Sequence, residues 1–261
     1  MPTFFQLKTY LTHWLDQVSE HSLHSPFFFD FYKNVLHTNN EDNARFAPIE
    51  AKREAYLHND AALTINDLGA GSAILKTSTR KISDIARTGL TPAKYSRLYA
   101  RIIEHFKCRT VIELGTSLGI NTLYLATKKD SQVISFEGAA SIVQTARATF
   151  QNAGAANIKL IEGDINNTLQ SFLGNTSSID FAFLDANHRY EPTIKYFNMI
   201  VQKLHANSVV VLDDIYYSPE MEKAWKQIQH HPLVYGSIDL YRCGLLFFDP
   251  SLNKQHVVLQ Y

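Results

Sequence analysis

Three aspartates and a histidine stand where apolar, β-rich runs give way to loops. Asp185 follows the run Ile179–Leu184, and His188 comes three residues later. Asp213 and Asp214 follow the run Ser208–Leu212. Neighbouring strands of a sheet lie about 4.8 Å apart, so carboxylates at their carboxyl ends can converge on one ion. That edge is also where open α/β sheets bind ligands. Three hard oxygens suit Mg2+ or a similar cation, which makes Asp185, Asp213 and Asp214 the expected metal set. An imidazole beside them can take a proton from a bound hydroxyl, which makes His188 the expected base, with Asp185 in the catalytic pair. Plainer readings stay open for both. One aspartate could cap the helix region at Ser218 or touch a cofactor without metal, and His188 could merely hold its loop to Tyr190 or Glu191.

A second chemistry belongs to glycines. Glu113-Leu114-Gly115-Thr116-Ser117-Leu118-Gly119-Ile120 falls between a β-rich run and a helical one. Backbone N–H groups at such a helix start face a ligand, and the glycines let it approach. Glu137 lies 22 residues after Gly115, at the end of the next β-rich run, where a carboxylate can accept from both hydroxyls of a ribose. Gly-x-x-x-Gly is not the Gly-x-Gly-x-x-Gly of nicotinamide enzymes, and no Gly-Lys-Ser/Thr follows as in a P-loop. The rival segment, Asp67-Leu68-Gly69-Ala70-Gly71-Ser72, is locally the better glycine motif. It follows only the short Leu63-Thr64-Ile65 and leads into a basic helical region, so a surface turn or lid is expected there.

Positioning these groups requires alternating strands and helices. From Arg109 onward, strands are expected at 110–114, 132–137, 158–161, 179–184 and 208–212. Helices fall between them, near 120–127, 141–152, 168–173 and 192–204. Another runs from Ser218-Pro219 to about Ile228. Such alternation implies parallel strands with helical crossovers. Val234–Tyr241 and Gly244–Phe248 have almost no connector, so they should form an antiparallel hairpin at the sheet edge, with His256–Gln260 as a further strand candidate. Residues 1 to about 108 read as helical with little strand signal. Phe4, Leu7, Leu11, Trp14, Leu15 and Val18 form one apolar stripe, expected to pack on the core or on a partner subunit rather than on a membrane, because its polar face is not basic. Pro26-Phe27-Phe28-Phe29 opens a second apolar segment. A helix from Pro92, capped by Thr91, puts Tyr95, Leu98, Tyr99, Ile102, Ile103 and Phe106 on one face.

Glu113–Gly119, Phe136-Glu137-Gly138, Gly163-Asp164-Ile165, Leu184-Asp185-Ala186-Asn187-His188 and Val211–Asp214 occur in the order seen in class I S-adenosylmethionine-dependent methyltransferases. The pattern resembles the small-molecule O-methyltransferases, including the metal-dependent catechol-type and macrolide-sugar enzymes, over about residues 92–250. The resemblance implies that Glu113 and the loop Gly115, Thr116, Ser117, Gly119 hold the methionine end of S-adenosylmethionine. It implies Glu137, with Gly138, at the ribose, Asp164 and Ile165 at the adenine, and Asp185 among the cofactor contacts. It implies Mg2+ at the three aspartates, although the catechol type has Asp-Asn where this chain has Asp213-Asp214. It also implies a Rossmann-like, doubly wound α/β fold with a seven-stranded sheet, mostly parallel, ending in an antiparallel hairpin. The expected division is a helical extension or cap over 1–91 and a methyltransferase domain over 92–261.

Composition narrows the class. The 261 residues carry 25 basic and 25 acidic side chains and are 45% hydrophobic, which disfavours a globally basic nucleic-acid binder and a disordered acidic tail. Two cysteines, Cys108 and Cys243, form no framework, and the N-terminal stretch carries Lys8, His13 and Asp16, unlike a signal peptide, so a cytoplasmic protein is expected. Nine Lys and Arg residues against two acidic ones between Lys76 and Arg109 read first as a solvated helix face, and could also attract an anionic small-molecule acceptor or nucleic acid. The Asp/Asn-Pro-Pro-aromatic run of base N-methyltransferases is absent. The helical N-terminal region is expected to shape acceptor specificity or a homodimer surface. The rival functions are a nicotinamide oxidoreductase and a non-catalytic cofactor-binding protein.

Overall fold

The computed structural model describes residues 3–38, 43–67 and 76–261. The chain divides into two compact units, residues 1–38 with 176–261, and residues 39–175. Leu68–Ser72 of the rival glycine loop lie outside the described residues.

The first unit begins with α1 (Phe4–Asp16), opened by a capping box in which Thr3 Oγ1 accepts from Gln6 N–H and Gln6 Oε1 accepts from Thr3 N–H. The apolar stripe does not face the core. Phe4, Leu7, Leu11, Trp14 and Leu15 are all more than half exposed, while Thr9 and His13 are buried. What turns the helix round is a polar anchor: His13 Nε2 stands 3.1 Å from Oδ1 of Asp239, itself 1% exposed. Then comes α2 (Pro26–Phe31), started by proline at its first position, whose aromatic residues pack on Phe247; the Phe27 and Phe31 ring centroids lie 4.9 and 5.4 Å from it.

The second unit opens with α3 (Asn43–Leu57). β1 (Ala62–Asp67) and β2 (Lys76–Lys81) then form an antiparallel pair where little strand was expected. Lys76-Thr-Ser-Thr-Arg-Lys81 has no apolar alternation, so neither pattern nor burial marks it as a strand. α4 (Ile82–Gly89) follows, then α5 (Ala93–His105), which begins one residue later than expected. Pro92, not Thr91, is its N-cap, and Thr91 is buried with its carbonyl accepting from Arg53 Nη1 at 2.8 Å. Leu98, Tyr99, Ile102 and Ile103 form the buried face as expected. The chain then alternates β3 (Thr110–Leu114), α6 (Ile120–Leu125), β4 (Gln132–Glu137), α7 (Ala140–Asn152), β5 (Ile158–Glu162) and α8 (Ile165–Gly174). The three strands run parallel in the order β3-β4-β5.

Back in the first unit come β6 (Phe181–Leu184), α9 (Tyr190–Val201), β7 (Val209–Asp213), α10 (Pro219–Gln229), β8 (Gly236–Asp239), β9 (Cys243–Phe247) and β10 (Gln255–Val258). β6 and β7 are parallel, β9 lies antiparallel between β7 and β8, and β10 pairs parallel with β8. The expected hairpin is therefore present. The two strand sets hold eight strands rather than seven, because 255–258 add an edge strand to β8. No described helix is long and apolar enough to cross a membrane.

Asp239 ends β8 and collects what fixes α1. Tyr216 Oη (2.7 Å) and Trp225 Nε1 (3.1 Å) donate to Oδ2, and Tyr241 N–H (2.8 Å) donates to Oδ1. Burial alone would push this carboxyl up, but the contacts from His13, Tyr216 and Tyr241 outweigh it and hold the carboxyl below its ordinary range. Replacing His13 with Ala should cost about 1–3 kcal/mol, the usual cost of withdrawing a partner from a buried charged group. It should also expose α1 to proteolysis. Urea denaturation and limited digestion check this, and an unchanged midpoint with an intact α1 would contradict the anchor.

Candidate active site

In unit 39–175 the loop between β3 and α6 is built around two glutamates. Glu113, on β3, is fully buried. Asn121 Nδ2 donates to its Oε1 at 2.9 Å, and Thr122 Oγ1 and Ser135 Oγ donate to Oε2 at 2.5 and 2.6 Å. Desolvation nevertheless raises its pKa to about 7 against these donors, with nearby Glu137 pushing the same way. Glu113 therefore shapes the loop from beneath. Thr116 is buried and bonded to Ser135 Oγ at 2.5 Å.

Glu137, at the end of β4, is half-buried and faces the same loop. Its Oε2 accepts from Ser117 N–H at 3.1 Å and its Oε1 from Ala139 N–H at 3.0 Å. Two bonds of this kind fix the orientation of the carboxylate toward the loop. The loop bends through left-handed backbone at Gly115 (φ 95°), Ser117 (φ 49°) and Gly119 (φ 81°). At Gly119 a Cβ would also meet Phe150 at 2.6 Å, so only glycine fits. Gly163 N–H donates to the Glu137 carbonyl at 2.9 Å, which ties the β5 end to the β4 end. Asp164 N-caps α8, its Oδ1 accepting from Asn166 N–H at 2.9 Å, and Ile165 is buried behind it.

Two further residues carry a signal that only the structure reveals. Asn121 Oδ1 and Ser141 Oγ are buried atoms with no hydrogen-bond partner. Asn121 and Ser141 are the second residues of α6 and α7, at the two helix starts that follow the glycine loop and Glu137. Buried polar groups left unpaired cost free energy until a partner arrives, so the cradle fits a polar ligand better than an empty one. In sequence neither residue stands out from any other helix-start polar side chain.

In the other unit the acidic cluster assembles differently from the expected triad. Asp185, His188 and Asp214 each offer one ligand atom, all within 4.8 Å of one another. His188 Nε2 lies 3.4 Å from Asp185 Oδ1. Asp213 is not among them: fully buried, it pairs with Arg242 Nη2 at 2.9 Å. Burial raises the Asp213 carboxyl to about 6 in spite of Arg242. Arg242 Nη1 also stands 3.5 Å from Asp214 Oδ1. Burial likewise lowers the imidazole pKa of His188; Asp214 opposes this and Arg242 reinforces it, so the neutral ring is favoured.

The backbone here is drawn into left-handed conformations at Asn187, His188, Asp214 and Tyr241. Non-glycine residues of this kind gather where a structure over-determines a site. The plainer roles have other occupants: Ser218 itself caps α10, and the loop after Asp185 is held by Asn187 Nδ2 donating to Tyr196 Oη at 2.7 Å. Beside Asp214 and Arg242 is a cavity of about 410 Å3 walled by Tyr216, Tyr217 and Tyr241 and, from α1, by Gln6, Leu7 and Tyr10. The basic stretch before β3 is partly spent on local pairs, Lys81 with Asp60 and Arg87 with Asp84.

Alternating strands and helices with parallel crossovers and one reversed strand form a Rossmann-like α/β fold. Residues 112–215 match the family described as a methyltransferase domain. Solved structures share the fold. The O-methyltransferase from Bacillus cereus in complex with SAH is 14% identical, with a TM-score of 0.55 over 84% of this chain and 96% of that one. A cofactor-bound protein from MTB is 17% identical, with a TM-score of 0.59 over 85% and 95%. The O-methyltransferase TomG from Streptomyces achromogenes, in complex with SAM, is 19% identical, with a TM-score of 0.54 over 61% and 81%. No curated protein matches the chain.

The raised pKa of Glu113 makes a pH prediction. Its folded value of about 7 lies above the ordinary glutamate value of 4.5, so its contribution to stability is complete below the lower value and is lost as pH rises through the upper one. Thermal unfolding should show wild type losing stability between about pH 5 and about pH 8, and Glu113→Gln losing distinctly less over that range. Parallel curves for the two proteins would rule this out.

Proposed function

We propose that the protein transfers a methyl group from S-adenosylmethionine to a hydroxyl of a small-molecule acceptor. The observation that carries this reading is the Glu137 carboxylate at the end of β4, fixed beside the glycine loop by the Ser117 and Ala139 N–H groups. Gly115 to Gly119 would hold the methionine end, together with Asn121 Oδ1. Glu137 with Gly138 would hold the ribose, and Asp164 with Ile165 the adenine. S-adenosylmethionine, when bound, supplies the methyl group on a sulfonium, whose displacement demands alignment and a deprotonated nucleophile.

The second requirement falls to the acidic cluster. His188, kept neutral by burial and oriented by Asp185, would collect the proton of the acceptor hydroxyl. The aromatic cavity beside Asp214 would hold the acceptor's body, and α1 would contribute to its selectivity through Leu7 and Tyr10. A second reading is favoured by the three converging donor atoms of Asp185, His188 and Asp214. These residues fit a divalent cation, which would lower the pKa of a hydroxyl bound to it, and an imidazole among them suits Mn2+ or another transition metal better than Mg2+. Asp213, committed to Arg242, does not fit that set.

Calorimetry with S-adenosylhomocysteine tests the cofactor assignment. Glu137→Ala should weaken binding by about 1.5–3 kcal/mol, the cost of losing charged hydrogen bonds. Undiminished affinity would refute the role of Glu137, and a wild type preferring NAD would refute the class. Turnover of labelled cofactor against a panel of phenols and sugar hydroxyls tests the cluster. His188→Ala should lower the rate about 10²–10⁴-fold, as for loss of a general base. Full activity after metal stripping selects the metal-free reading, whereas loss restored by Mn2+ selects the cation.

A further inference from the structure

A second cavity, of about 440 Å3, lies within unit 39–175 and is lined by none of the residues assigned above to cofactor or acceptor. It opens where α3 crosses the end of α6 and the end of α7. Its volume is within the range of about 300–1,000 Å3 typical of small-molecule sites. Ile49, Leu123 and Ala126 form a buried apolar floor. The charged side chains lining it are Arg45, Lys52 and Lys129, with no carboxylate among them, in a chain whose charges otherwise balance.

These cations are not equally spent. Arg45 pairs with Glu104. The Lys52 ammonium is 5.0 Å from the Tyr56 ring centroid, a contact that orients it without cancelling its charge. Lys129 is exposed at the rim. The wall between floor and rim is pre-formed. Thr149 Oγ1 donates to the Leu118 carbonyl at 2.8 Å and is bonded to Tyr56 Oη at 2.6 Å, so a ligand would pay little to order it.

We infer that this cavity is a binding site for a small amphipathic anion, an apolar body carrying a carboxylate or phosphate head. The apolar floor would take the body by area burial, and Lys52 and Lys129 would take the head through charge-assisted hydrogen bonds. An uncharged molecule of the same shape would gain only the first term. A cation would meet the like charges of Lys52 and Lys129.

Equilibrium dialysis of radiolabelled octanoate against the full chain tests the site, with octyl phosphate and octanol as companions. Saturable binding of one octanoate per chain is expected, with octanol at least about tenfold weaker, since two charged hydrogen bonds are lost. Comparable binding of octyl phosphate would show that any oxyanion head serves, and its exclusive binding would identify the head as phosphate; both support the site. Lys52→Glu with Lys129→Glu should weaken octanoate about tenfold or more, because both head contacts turn repulsive. Ala126→Phe, which fills the floor, should abolish it. Leu11→Ser with Trp14→Ser, on the exposed stripe of α1, should leave it unchanged. Octanol binding as well as octanoate, indifference to the lysine changes, or loss confined to the α1 variant would each overturn the proposal. So would the absence of saturable binding by either anion.

Discussion

A carboxylate removed from water is tolerable only where donors surround it, and Glu113 is the point at which the glycine loop meets that requirement. Its three donors come from different places: Asn121 and Thr122 from the first turn of α6, and Ser135 from the middle of β4. One buried charge thus ties the helix after the loop to the neighbouring strand. The loop between has little freedom left, and its left-handed turns at Gly115 and Gly119 follow from having to leave β3 and enter α6 within a few residues. Thr116, bonded to the same Ser135, extends the network under the loop. Only then is Glu137 useful, because its partner, Ser117 N–H, is held still by the residues below it.

The acidic cluster obeys the same electrostatic rule with a different solution. Asp213 and Asp214 are adjacent in sequence, and two carboxylates so close would force one to bind a proton unless a cation intervened. Arg242, the last residue of the turn before β9, supplies that charge inside the protein. Asp213 becomes a structural anchor for Arg242, and Asp214 is the member of the pair that turns toward Asp185 and His188.

Legibility in the sequence followed how local each signal is. The strands β3 to β7 and the terminal pair β8 and β9 could be read because apolar β-rich runs bounded by glycine, asparagine and aspartate mark them. The glycine loop and Glu137 could be read because their spacing is fixed by one strand–helix–strand passage. β1 and β2 could not, since their second strand is Lys- and Thr-rich and half of its pairing is to an equally plain partner. Arg242 could not be read either. It lies 29 positions from Asp213 in the chain and reaches it only through the antiparallel pairing of β7 with β9, where Asp213 sits opposite Cys243. The assignment of three aspartates to one ion rested on strand-end position, which fixes where a backbone ends and not which way its side chain turns.

The same limit explains α1, and there it carries a physical lesson. A period of three and four residues correctly predicts that Phe4, Leu7, Leu11, Trp14 and Leu15 share a face. It does not say that this face is the one buried. Burying the stripe would favour the core by about 25 cal/mol for each Å2 of apolar area, yet the helix is turned the other way. What opposes that gain is Asp239, which is 1% exposed and would otherwise lose one of its partners. Leaving a buried charge short of a donor costs about as much as one large side chain gains by burial. Around this pair the aromatic rings add to the balance, with Tyr10 edge-on to Tyr241 at 5.2 Å and Tyr216 stacked on Tyr241 at 5.3 Å. The rotation of α1 is therefore fixed by a few polar and aromatic contacts on its narrow inner face. That rotation places Gln6, Leu7 and Tyr10 in the wall of the aromatic cavity, so the orientation that leaves the stripe in solvent is also the one that gives this cavity its N-terminal boundary.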